Sequence, residues 1–99
     1  VDEAIAEQGP HPSLLDTLGL AILAGGAPDE AVDVLREASL DRTPEKRLHL
    51  AYALVAAKRP DDARQVLLEA RKAGLDPRRL DADDRRRLRE VEAAIGVSG

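Results

Sequence analysis

The spacing of apolar side chains predicts helices along most of the chain. Two segments carry apolar residues at i, i+3, i+4 and i+7, which places four side chains on one helix face. These residues are Ala31, Val34, Leu35 and Ala38, and then Ala63, Val66, Leu67 and Ala70. Together with helix breakers, the pattern predicts helices near 1–8, 13–25, 28–40, 45–58, 60–73 and 82–95. We therefore expect an all-α protein without strands.

Proline, glycine and aspartate mark where these helices begin and end. Pro28 and Pro60 suit a first helical turn, where the missing N–H is not needed. Gly74 followed by Pro77 predicts the end of the helix over 60–73. Asp81 is a suitable N-cap for the last helix. That helix has one narrow apolar stripe and a charged back, as expected for a helix that covers the end of a repeat stack.

The chain contains an internal repeat. A shift of 32 residues aligns the window 12–43 with the window 44–75 and gives 11 identities. The matched residues in the first window are Pro12, Leu18, Ala21, Ala24, Pro28, Asp29, Ala31, Val34, Leu35, Glu37 and Ala38. Two copies of one helix–turn–helix unit are the simplest explanation.

At these positions the chain resembles the tetratricopeptide repeat (TPR) family, with bacterial-type repeats. The first unit offers Leu15, Leu18-Gly19, Ile22, Ala31, Leu35 and Ala38, and the second offers Arg47, Leu50-Ala51, Leu54, Ala63, Leu67 and Ala70. Aliphatic residues stand where the family has aromatic ones, and Arg47 where a large apolar residue is usual. The resemblance implies an α-solenoid of about two full repeats.

The resemblance also implies a division of the chain. Residues 1–99 would form a single TPR domain. Its parts would be the end of a truncated repeat (1–11), repeat one (12–43), repeat two (44–77) and a capping helix (81–96). The chain starts at Val1 rather than Met, so we expect a fragment or a processed product.

Composition narrows the classes of function. The chain has no cysteine, which excludes disulfides and thiolate metal sites, and its net charge of −4 argues against general nucleic-acid binding. Residues 1–45 carry 2 basic and 10 acidic side chains, whereas residues 46–99 carry 13 basic and 9 acidic ones. The most apolar run spans 10 residues, Leu18 to Ala27, well short of the roughly 20 that cross a bilayer. We expect a soluble domain, and the composition leaves its compartment open between the cytoplasm and the periplasm or envelope.

Candidate catalytic and ligand-binding groups are few. His11 and His49 have no second ligand at metal-binding spacing, and we interpret His49 as a partly packed polar residue. We interpret Asp81, Asp83 and Asp84 as helix-capping residues, and the run Arg85–Arg87 as a solvated helix face. The chain is therefore expected to be neither an enzyme nor a cofactor-binding protein.

The remaining candidate site is the concave face that the first helices of TPR units present. By resemblance this face would be lined by Ser13, Asp16, Leu20, Leu23, Leu48, Tyr52 and Val55. We expect this aliphatic groove to bind a peptide or protein partner. The alternative is self-association, as a homodimer or as a spacer within a longer solenoid.

Overall fold

The computed structural model describes residues 12–96, and these residues are almost entirely helical. The helices are α1 (Pro12–Ala24), α2 (Pro28–Ala38), α3 (Pro44–Ala56), α4 (Pro60–Lys72) and α5 (Ala82–Ile95). Short 3-10 turns at Ser39–Asp41 and Pro77–Arg79 precede α3 and α5. Residues 12–96 contain no strand, which confirms the all-α class. The helix predicted near 1–8 and its truncated repeat lie outside the described residues.

The helix boundaries follow the local signals in the sequence. Four of the five helices begin at a proline, whose fixed φ angle favours the first turn. The fifth begins after Asp81, whose side chain accepts a hydrogen bond from the backbone N–H of Asp84, as predicted for an N-cap. Helix α2 ends at Ala38 rather than near residue 40, because the chain tightens there into the 3-10 turn.

The repeat seen in the sequence is also present in the backbone. A shift of 32 residues carries the bounds of α1 onto those of α3. The α1–α2 and α3–α4 connections have the same geometry, with φ angles of 91° at Gly26 and 64° at Lys58. The residue before α2 donates its N–H to the carbonyl of Ile22, and the residue before α4 donates to that of Leu54. The two units are therefore equivalent helical hairpins.

The core lies between the two hairpins and under α5. Helix α1 packs against α2, α3 against α4, α2 against α3, and α5 against α3 and α4. The largest side chains with under 2% exposure are Val32, Leu35, Leu48, Leu54, Leu67 and Val91. A Cβ atom at Gly19 would lie 2.5 Å from side-chain carbons of Leu35, so α1 and α2 approach closely at this point.

Candidate functional site

A buried cluster of three charged side chains joins three helices. His49 on α3 is 7% exposed. Its Nδ1 atom lies 2.8 and 2.9 Å from the two carboxylate oxygens of Asp16 on α1. Its Nε2 atom lies 2.8 Å from Oδ1 of Asp84 on α5. The imidazole thus bridges the first and last described helices from the middle of the fold.

The surroundings of His49 favour its charged form. Burial acts to lower the pKa of the imidazole and is the largest single influence. Hydrogen bonds and charge attraction from Asp16, together with those from Asp84, outweigh burial and raise the pKa above its ordinary value of 6.5. The cluster is therefore a buried imidazolium held between two carboxylates.

A second cation supports Asp84. Nη1 of Arg87, one turn further along α5, donates to the same Oδ1 atom of Asp84 at 2.7 Å. The guanidinium carbon of Arg87 also lies 5.8 Å from the ring centroid of Tyr52, within the range of a cation–π interaction. A chain of direct contacts therefore runs from Asp16 through His49, Asp84 and Arg87 to Tyr52.

Tyr52 also separates two surface depressions. The larger one, called here the Tyr52 groove, has a volume of about 490 Å³. It is lined by Tyr52, Val55, Ala56, Glu90, Ala93 and Ala94. Small alanine side chains on α3 and α5 leave this space open, and Glu90 is its one charged lining residue. The groove is therefore mainly apolar.

The smaller depression, called here the Leu20 cleft, has a volume of about 200 Å³. It is lined by Leu20, Leu23, Ala24, Tyr52, Arg86 and Arg87. Arg87 does not belong to a solvated face as predicted, because it contacts Asp84 and Tyr52. Arg86 is about half exposed and pairs with Glu90 and Asp83.

The predicted groove residues divide into two groups. Leu20, Leu23, Tyr52 and Val55 line the two depressions, and their role in binding a partner stays a prediction. Ser13 is exposed on α1 and lines neither depression.

Two further residues take different places from those predicted. Leu48 is 0% exposed and packs in the core, so it does not line the groove surface. Asp16 is half-buried and directs its carboxylate to His49.

The interpretation of His49 as a partly packed residue identified its burial but not its partners. Asp84 was interpreted as a capping residue in the first turn of α5, and its contact with His49 was missed. One pattern in the sequence could have directed attention to this position. In the 32-residue alignment His49 stands opposite Thr17, which is exposed and binds only locally, to the carbonyl of Ser13.

Two searches of the described part of the chain found nothing. Among residues 12–96, no group of three or more His, Cys, Asp or Glu side chains is arranged to hold a metal ion. No helix within the same range is long and apolar enough to cross a membrane.

Comparison of the chain with protein-family models, curated proteins and solved structures finds no match in any of the three.

Proposed function

We propose that the chain is a TPR-type helical repeat module that binds an apolar segment of a partner protein, rather than an enzyme. The observation that carries this proposal is the position of the four lining residues in the repeat. Leu20 and Tyr52 are 32 residues apart, as are Leu23 and Val55. The same two positions of each unit therefore supply apolar side chains to one continuous surface.

The partial exposure of these side chains supports a binding role. Leu20, Leu23, Tyr52 and Val55 are neither buried nor fully exposed. Contiguous apolar surface that remains accessible to solvent is a common property of protein-binding sites. Tyr52 adds a hydroxyl group and an aromatic ring, which favour tyrosine at interfaces.

A comparison of two alanines on α5 tests this function. Ala94 lines the Tyr52 groove, whereas Ala82 is exposed at the start of the same helix and lines neither depression. Peptides selected from a displayed random library against the chain would be measured by fluorescence anisotropy. Ala94→Glu places charge and bulk in the groove, and we expect it to weaken binding by about tenfold or more. Ala82→Glu should leave the affinity unchanged.

Equal affinities for the two variants would contradict the proposal, because the selected peptides would then bind elsewhere. Circular dichroism supplies the control for folding. Both alanines are exposed, so neither substitution should reduce the helix content.

Self-association is the second candidate, and a separate surface favours it. Leu14 and Leu18 on α1 are 63% and 48% exposed. Their exposure leaves an apolar strip on the outer side of the first hairpin, where a second copy could pack. Sedimentation across protein concentration and salt tests this candidate. Leu18→Asp should abolish a dimer that uses this face, and a wild-type chain that stays monomeric at high concentration would exclude it.

A further inference from the structure

We propose that Asp16, His49 and Asp84 form a pH-sensitive clasp that ties α1 to α5 and thereby controls the shape of the Leu20 cleft. The clasp itself is independent of what the molecule binds. Its consequence for affinity rests on the function proposed above.

The number of protons in the cluster is the first step of the argument. Asp16 and Asp84 offer only acceptor oxygens, so each of the two hydrogen bonds needs an N–H group on the imidazole. A neutral imidazole carries one N–H and an imidazolium carries two. The observed geometry, with both ring nitrogens within 2.9 Å of a carboxylate oxygen, therefore requires the protonated ring.

The charges around His49 come from two helices. Asp16 faces it from α1, Asp84 faces it from α5, and Arg87 stands behind Asp84. Asp81 lies beside the cluster but caps the backbone N–H of Asp84. Two carboxylates on opposite sides of the ring thus hold the proton, and the single nearby cation is already paired with one of them.

Loss of the proton has an asymmetric effect. Asp84 keeps Arg87 as a second partner, whereas both oxygens of Asp16 lie within 2.9 Å of Nδ1. The remaining proton therefore stays on Nδ1, between the ring and Asp16. The lone pair of Nε2 then faces the Asp84 carboxylate, and this contact becomes repulsive.

The repulsion reaches the surface through Arg87. Asp84 and Arg87 share a hydrogen bond and the first turns of α5, so movement of one displaces the other. Arg87 and Tyr52 both line the Leu20 cleft, and the leucines of α1 form its other wall. Deprotonation of His49 therefore loosens the contact between α1 and α5 and changes the environment of Tyr52.

The direction of the pH dependence follows from the raised pKa. Folding favours the protonated ring, so the stabilisation is complete below the ordinary value of 6.5. It is lost as the pH rises through the raised pKa of His49. The clasp is closed in mildly acidic solution and opens in alkaline solution.

The composition of the chain allows a direct test. It contains two histidines, one tyrosine and no tryptophan, so His11→Gln leaves His49 as the sole imidazole and Tyr52 as the sole fluorophore. In this background, the NMR shifts of the imidazole ring would be followed with Tyr52 fluorescence from about pH 5 to 9, across the range where histidines titrate. We expect both signals to change together, with a midpoint above 6.5.

Three variants separate the steps. Asp84→Asn should lower the midpoint of the His49 titration, while Asp83→Asn, which alters an exposed neighbour, should leave it unchanged. Arg87→Gln should abolish the pH response of Tyr52 fluorescence while the titration of the ring persists. If circular dichroism shows that Asp84→Asn unfolds the chain, Asp16→Asn provides the same test from α1.

Three results would overturn the proposal. They are a ring that titrates at or below 6.5, a Tyr52 signal that ignores the titration, and an equal effect of Asp83→Asn and Asp84→Asn. None of these measurements involves a peptide. The clasp and the binding function can therefore fail independently, because a working clasp on a chain that binds no peptide would contradict only the latter.

Discussion

The two helical hairpins have the same repeat pattern and the same connecting turn, but their surroundings differ. Helix α3 lies between α2 and α5, whereas α1 packs mainly against its own partner α2. Leu50 on α3 is consequently 4% exposed, while the equivalent Leu18 on α1 is 48% exposed. A position in the repeat therefore defines the direction of a side chain, but the neighbouring helices decide whether it is buried.

The same comparison applies to polar positions. Thr17 and His49 are equivalent in the repeat, yet Thr17 binds a carbonyl of its own helix and His49 binds two other helices. The second hairpin thus holds the contacts that organise the fold. The first hairpin supplies one side of the cluster and one wall of the cleft.

Paired truncations of Leu50 and Leu18 should show the largest effect of this difference. Leu50→Ala removes a buried side chain, and we expect it to reduce the free energy of unfolding by about 2–4 kcal/mol. Leu18→Ala should cost less than about 1 kcal/mol, because that side chain is half exposed already. Urea denaturation of the two variants measures both values. A cost at Leu18 as large as at Leu50 would show that another surface covers α1 in solution.

The close approach of α1 and α2 provides the next test. Gly19→Ala introduces a Cβ atom that would overlap Leu35, and we expect a loss of about 1–3 kcal/mol. Combining it with Leu35→Ala should relieve the overlap, so the two changes should cost less together than the sum of their separate effects. Additive effects in the double-mutant cycle would contradict the packing described here. The matched change in the second hairpin, Ala51→Gly, should cost about 1 kcal/mol through backbone entropy.

Exchange of residues at the connecting turns should have the smallest effect. Lys58 has a φ angle of 64°, in the left-handed region that favours glycine, and its equivalent in the first hairpin is Gly26. Lys58→Gly should therefore raise stability by about 0.5–1 kcal/mol. Gly26→Ala should lower it by about 1 kcal/mol. Thermal unfolding would detect both changes. A destabilised Lys58→Gly variant would mean that the lysine side chain makes a stabilising contact.

Much of the fold could be predicted because its determinants are local. Prolines 28 and 60 each begin a helix, and the 32-residue repeat gave the correct pairing of apolar faces. The end of α2 was less accurate, since the 3-10 turn after Ala38 depends on the turn that leads into α3.

The site was harder to predict, because its residues come together only through packing. Asp16 and Asp84 are 33 and 35 positions from His49, and no local spacing indicates that they meet. Leu48 shows the converse problem. It has the composition of a groove residue, but the angle of α3 places it in the core at 0% exposure.

The bridge made by His49 also has a consequence for the order of folding. Each hairpin can form from contacts between neighbours in the chain, but the bridge closes a loop from residue 16 to residue 84. Contacts between distant residues carry a larger cost of chain entropy, so they tend to form late. We expect the imidazole to meet both carboxylates only after the folding barrier has been crossed. Changes to this cluster would then alter the lifetime of the folded chain more than the time it takes to fold.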